Sequence, residues 1–220
     1  MHITDNVLRE RLKNVYFLWG RGKTTIASEL QKRHGVFVYH TDESRDRQME
    51  IAVPAYQPYM CRDYVAEYGV KSFWALPPEV IADREKHVLA EMTPMMTAEL
   101  IALSARHDVV ICEGDIDYAS IAPIATHMLY LWNCGTMFDW FDRPDHSLDA
   151  IKNRTDLTES EKQEIIDNAY LSVAQKENVL PDWVIELGVP YVRWDDSTGV
   201  AQTADDAERI FGLWRKAECK

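Results

Sequence analysis

Three groups of residues in this chain have the types and spacing to handle a phosphate ester. The first is Gly20-Arg21-Gly22-Lys23-Thr24-Thr25. Glycines in a tight turn let backbone N–H groups wrap phosphate oxygens, a lysine reaches the outer phosphates, and a hydroxyl ligates magnesium. A helix beginning at Lys23 aims its positive end at the same anion. The usual spacing is G-x-x-x-x-G-K-S/T, yet five positions before Gly22 stands Phe17, not a glycine. Inserting three residues between Gly20 and Arg21 restores it. Either the loop is truly deleted, or three residues are omitted and the numbering closes over them. The intact flanks favour omission, which predicts a gap where the Gly20–Arg21 bond of about 1.33 Å should be.

The second group is a pair of carboxylates at the ends of apolar runs. Asp42 follows Val36 to His40 and could accept a proton from a substrate hydroxyl or serve as a second candidate for holding magnesium; the plain alternative is a loop carboxylate or helix cap. Glu113 closes Val109-Val110-Ile111-Cys112 and precedes Gly114-Asp115. It is suited to act on magnesium through bound water, or on the threonine beside the glycine turn. A helix N-cap region is the alternative, but a carboxylate ending a central apolar strand is poorly placed for mere solvation. The third group, Arg143, Lys152 and Arg154, could clamp a phosphoryl group, since guanidinium matches phosphate oxygens in a plane and offsets developing charge. Isolated cations on a polar helix are otherwise a solvated face. Asp115, Asp117, Arg62 and Arg84 are weaker candidates.

Residues so far apart in sequence must be gathered by a fold. Apolar runs rich in β-branched and aromatic residues alternate with helical patterns, which argues for parallel strands with crossover helices, an α/β architecture. The strands read as Asn14 to Trp19, Val36 to His40, Asp108 to Glu113, Met128 to Asn133 and Pro190 to Trp194. The third is continuously apolar, as expected of a central strand covered on both faces, and should neighbour the first. Helices are expected over Thr24 to His34, Pro54 to Tyr68, Pro78 to Arg106 with a kink or division at Pro94, Leu148 to Arg154, Glu159 to Glu177, and Ala204 to Lys216. With these assignments Asp42 and Glu113 fall at the carboxyl ends of strands, where open α/β sheets bind ligands.

Composition narrows the classes. A chain of 220 residues, 46% hydrophobic, can bury a substantial core as one domain. A net charge of −12 works against a nucleic-acid backbone. Cys61, Cys112, Cys134 and Cys219 form no C-x-x-C pair and read as reduced thiols of a cytoplasmic protein. No signal-peptide core and no apolar run of membrane-spanning length is present. Seven dispersed histidines show no zinc spacing, and neither a G-x-S-x-G elbow nor a dinucleotide fingerprint occurs. Trp74, Trp132, Trp140 and Tyr56 could line a pocket for a flat substrate, although core is the better reading for most aromatics.

On Gly22-Lys23-Thr24-Thr25, Asp42, Val110-Ile111-Cys112-Glu113-Gly114 and the Arg143 to Arg154 segment, the chain resembles the P-loop small-molecule and nucleotide kinases, near the branch of chloramphenicol phosphotransferase, zeta toxin, and gluconate or shikimate kinases. The resemblance implies a three-layer P-loop NTPase fold with a five-stranded parallel sheet of order 2-3-1-4-5. It also implies a helical acceptor-binding insertion near residues 50–106, a lid near 142–180, ATP and magnesium as cofactors, and transfer of the γ-phosphoryl group to a hydroxyl or phosphate acceptor. Gly20, Arg21, Gly22, Lys23, Thr24 and Thr25 would then bind the nucleotide, Thr24 the metal, and Glu113 the metal's water shell. Asp42 would orient or deprotonate the acceptor, and Arg143 and Arg154 would close over the transferring group. The acceptor is expected to be a small metabolite or nucleotide, and a homodimer is left open. Two other readings stay open: a nucleotide-binding module that has lost catalysis, which the short loop favours, and a toxin-like kinase with a larger acceptor.

Overall fold

The computed structural model describes residues 4–133, 148–174, 180–195 and 197–213. Arg143, Trp140, Cys134 and Cys219 lie outside them. Five parallel strands form one sheet: β1 (Val15–Gly20), β2 (Phe37–His40), β3 (Val110–Glu113), β4 (His127–Asn133) and β5 (Tyr191–Trp194). Their spatial order is β2-β3-β1-β4-β5, so every connection is a crossover. This is the three-layer P-loop α/β fold, and β1 and β3 are neighbours. All four residues of β3 are buried, which explains its unbroken apolar run.

Between the strands lie α1 (Asp5–Arg11), α2 (Lys23–His34), α3 (Thr41–Ile51), α4 (Tyr64–Glu67), a 3₁₀ turn (Phe73–Ala75), α5 (Pro78–Ser104), α6 (Tyr118–Ile121), α7 (Asp149–Lys152), α8 (Glu159–Ala174), α9 (Asp182–Glu186) and α10 (Gly199–Phe211). One face of the sheet, through Tyr16, Leu18, Ile111, Leu129 and Leu131, packs on Ile26 and Leu30 of α2 and on Ala204, Ala207 and Phe211 of α10. On the other face Tyr39 bonds Glu99 of α5, and Trp19 meets Trp183 of α9 edge to face.

Several expected boundaries are corrected by the fold. Helix α3 follows β2 without a loop, in a stretch with no apolar periodicity. Its buried residues are Thr41, Ser44 and Gln48, spaced as one helical face but all polar. The helix expected over Pro54 to Tyr68 shrinks to α4, whose N-cap Asp63 accepts from the Ala66 N–H at 3.0 Å. Pro94 does not divide α5, which runs unbroken for 27 residues. An internal proline costs about 3 kcal/mol, and burial of Met92, Met96 and Leu100 offsets it. The last helix begins at Gly199 and ends at Phe211, earlier than expected.

The chain divides into two compact units: Met1–Ala52, Leu89–Cys134 and Leu180–Lys220 form one, and Val53–Val88 with Gly135–Val179 the other. The first holds the sheet. The second has its own core, in which Trp74 packs beside Tyr64, Leu76 and Ile81, beside Leu148 and Ala169, and beside Ile151, Leu157 and Ile165. The Asn168 amide donates to the carbonyls of Trp74 and Leu76, each at 2.6 Å. Helix α8 opens with a capping box: Thr158 N–H donates to Glu161 and the Glu161 N–H returns to Thr158 Oγ1. Trp74 is therefore core, whereas Tyr56 is 78% exposed.

Candidate active site

Strand register assembles the carboxyl edge. Glu113 is level with Leu18 of β1 on one side and with His40 of β2 on the other. Because β1 runs two residues further before turning, α2 begins above Glu113. The Thr24 hydroxyl thus donates to Glu113 Oε2 at 3.0 Å, and His40 Nδ1 lies 2.5 Å from Oε1. Glu113 is 4% exposed, and these contacts account for both its oxygens. An ionised carboxylate only accepts, so the contact requires the tautomer of His40 that carries a proton on Nδ1 whenever Glu113 is ionised.

Lys23, the first residue of α2, reaches Asp115 at 3.5 Å. Burial pulls its pKa down, but Asp115, Asp42 and Glu113 outweigh it and hold the ammonium above the ordinary lysine value. Asp115 is thus the direct partner of Lys23, and Asp42 and Glu113 lie near enough to favour its charged form. Asp42 belongs to the first turn of α3 rather than to a loop, where it favours the positive end of that helix as well as Lys23. Tyr130 of β4 is near the same lysine; burial raises its phenol, and the Lys23 charge partly opposes the rise.

Residues 20–22 form a turn of trans peptides between β1 and α2. Gly20 has φ +92°, and a methyl group on it would lie 2.1 Å from the Leu131 carbonyl oxygen. The Arg21 N–H donates to that same carbonyl at 3.2 Å, and the Arg21 carbonyl accepts from Trp194 Nε1 at 2.9 Å. Gly22, φ +84°, is the N-cap of α2, and a methyl group there would lie 2.1 Å from Trp194 Cζ2. Only glycine satisfies both positions.

Magnesium is usually held by one or two carboxylates, a hydroxyl and the substrate's phosphates. Thr24 with Glu113 fits that donor set, although among the described residues no group of three His, Cys, Asp or Glu is arranged to hold a metal alone. The turn fits less well, because the Arg21 N–H that would face a phosphate is spent on Leu131 and an indole covers Gly22.

The structure brings together Lys23, Thr24, Asp42, Glu113 and Asp115. It gives other tasks to the remaining described candidates. Asp117 caps α6 through Ala119 and Ser120. Arg62 pairs with Glu67, and Arg84 with Glu85, while both guanidinium groups lie over Tyr64. Lys152 reaches Asp149 at 3.2 Å. Arg154, in the second unit, bonds Asp156 and the Lys71 carbonyl. Sequence reading missed His40 and Trp194. His40 was within reach, because it and Glu113 end adjacent parallel strands; nothing in the sequence pointed to Trp194. A cavity of about 780 Å³ lies at the opposite edge of the sheet, lined by Arg11, Asn14, Tyr16, Arg106 and His127 among others, and no residue of the candidate site touches it.

No family model matches the chain, and no curated protein matches it in sequence. In structure it is similar to dephospho-CoA kinase from Campylobacter jejuni, at TM-score 0.43 and 11% identity over 93% of this chain and 98% of that one. It is also similar to shikimate kinase from Acinetobacter baumannii in complex with shikimate, at TM-score 0.36 and 20% identity over 94% and 95%. Likenesses this distant carry no weight for substrate or mechanism. No described helix is long and apolar enough to cross a membrane.

Proposed function

We propose that this protein is an ATP-dependent phosphotransferase that moves the γ-phosphoryl group to a hydroxyl or phosphate of a small metabolite or nucleotide. The observation that carries the reading is the Thr24–Glu113 contact beneath Lys23, which pairs with Asp115 within the field of Asp42 and Glu113. Bound magnesium would offset charge on the transferring group. Lys23 would hold the terminal phosphate in place of its bond to Asp115. The Thr24 hydroxyl would ligate the metal, and Glu113 would fix its water shell while His40 keeps the carboxylate oriented. Asp42 would orient the acceptor hydroxyl and accept its proton. Arg143 and Arg154 remain proposed as the closing cations; Arg154 would have to leave Asp156 to serve.

Calorimetric titration with a non-hydrolysable ATP analogue and magnesium tests this, alongside Lys23→Ala. Micromolar binding by the parent and its loss in the folded variant support the site; phosphoryl transfer by a folded Lys23→Ala protein sinks it. Intact mass is measured on the same sample, since a mass above that of the 220-residue chain would establish the omitted loop residues. The second reading, a nucleotide-binding module without catalysis, is favoured by the closed turn and predicts binding without transfer.

A further inference from the structure

The phosphate turn is short, and it is also occupied. Three contacts close it: Arg21 N–H to Leu131, Trp194 Nε1–H to the Arg21 carbonyl, and the Trp194 ring against Gly22. The first belongs to the sheet edge, but the other two come from one side chain at the end of β5. The six-membered ring of the indole stands where a Cβ on Gly22 would be, so a phosphate chain running past Lys23 along that side of the Gly22 backbone would meet it. Trp194 is half-buried and packs on the sheet's α2 face. It is thus anchored well enough to resist displacement, yet is not locked in the core.

We infer that Trp194 is a specificity-determining residue of the phosphate turn: its indole, lying on Gly22 and bonded to Arg21, must swing aside before a triphosphate chain can run past Lys23 and so weakens nucleotide binding without abolishing it, a cost that a single phosphate group at Lys23 and Thr24 avoids. The inference rests on the proposed reading of this site. Moving the indole aside breaks one hydrogen bond and uncovers apolar surface, and both costs fall on any ligand that extends past Lys23. A ligand with one phosphate, held by Lys23 and the first turn of α2, avoids them.

The test compares the parent with Trp194→Phe, which keeps an aromatic ring in the packing but loses the Nε1 donor and the outer ring. Trp194→Leu serves as a second variant, and thermal melting confirms that each is folded. Calorimetry with the ATP analogue plus magnesium, and separately with inorganic phosphate, should show about tenfold tighter triphosphate binding in both variants, the scale of one lost hydrogen bond, with phosphate binding unchanged. A general loosening of the fold would not separate the two ligands. Equal or weaker triphosphate binding in the folded variants, with Lys23→Ala still abolishing it, overturns the role of Trp194 and leaves the nucleotide site standing. If only a chain with three glycines inserted between Gly20 and Arg21 binds, loop length sets the limit and the inference falls. If none of these proteins binds the analogue, the phosphotransferase reading falls as well.

Discussion

Glu113 and Glu99, both within the sheet-bearing unit, are carboxylates held in opposite ways. Glu99 of α5 is a knot of neutral donors: the Tyr39 hydroxyl at 2.6 Å, Ser44 at 2.9 Å and Gln48 at 3.3 Å, with Arg47 at 3.5 Å. The Gln48 amide also donates to Ser44, so β2, α3 and α5 are tied through one polar cluster. Burial raises the Glu99 pKa, but the bonds from Tyr39, Ser44 and Gln48 together hold it below the ordinary value. Among the described residues Glu113 bonds Thr24 and His40, and with Asp115 and Asp42 it acts on the charge of Lys23. A carboxylate surrounded by donors builds structure. One placed in an excess of negative charge beside a lysine and a hydroxyl is arranged for a cation and an anionic ligand that arrive together.

The largest expected effect separates the two directly. Glu113→Gln keeps the size of the side chain and removes its charge, so magnesium affinity in the presence of nucleotide should fall about 10- to 100-fold with little change in melting temperature. A variant that binds magnesium like the parent would erase the distinction. Glu99→Ala should do the reverse: it leaves Tyr39, Ser44 and Gln48 without their acceptor and should cost about 1–3 kcal/mol in denaturant unfolding, with nucleotide affinity unchanged. Loss of nucleotide binding there, at full stability, would move Glu99 into the site.

Acid sharpens the contrast. Glu99 has a depressed folded-state pKa, so its contribution is fully present above the unfolded value of 4.5 and is lost as pH falls through the lower folded value. Glu99→Gln should therefore flatten the decline in stability below pH 4.5 seen by chemical denaturation. An unchanged slope would mean that the cluster does not discriminate between the two protonation states.

The smallest effect belongs to the second unit. The bond from Arg154 is the main reason that the Asp156 pKa is lowered to about 2. The pair lies at the surface, so Arg154→Ala should leave stability essentially unchanged while the Asp156 carboxylate, followed by NMR, titrates closer to 3.8. If Arg154→Ala instead abolishes phosphoryl transfer at unchanged stability, the arginine leaves Asp156 during turnover and the proposed closing role gains its support.

Much of this molecule was written in local patterns. The five strands could be placed because apolar, β-branched runs of four to seven residues stand between helical stretches, and α2 because it starts at a glycine turn and ends at Gly35. Glu113 was legible as the charged end of an apolar strand. Helix α3 was not, because the face it buries carries Thr41, Ser44 and Gln48, and hydrogen bonds to another helix replace the hydrophobic signal. That concealment also left Asp42 read only as a residue following β2, with a loop or a helix cap as the plain alternatives, when it stands in the first turn of α3.

The sequence by itself determined the crossover α/β arrangement and the identity of the glycine-lysine-threonine turn, since both follow from periodicity and backbone freedom within short stretches. Only the tertiary structure decided that His40 meets Glu113, that Lys23 pairs with Asp115 within the field of Asp42 and Glu113, and that Trp194 lies across Gly22. Each of those contacts joins elements far apart in the chain. Strand order, register and side-chain direction set them together, and none of the three is carried by a local pattern.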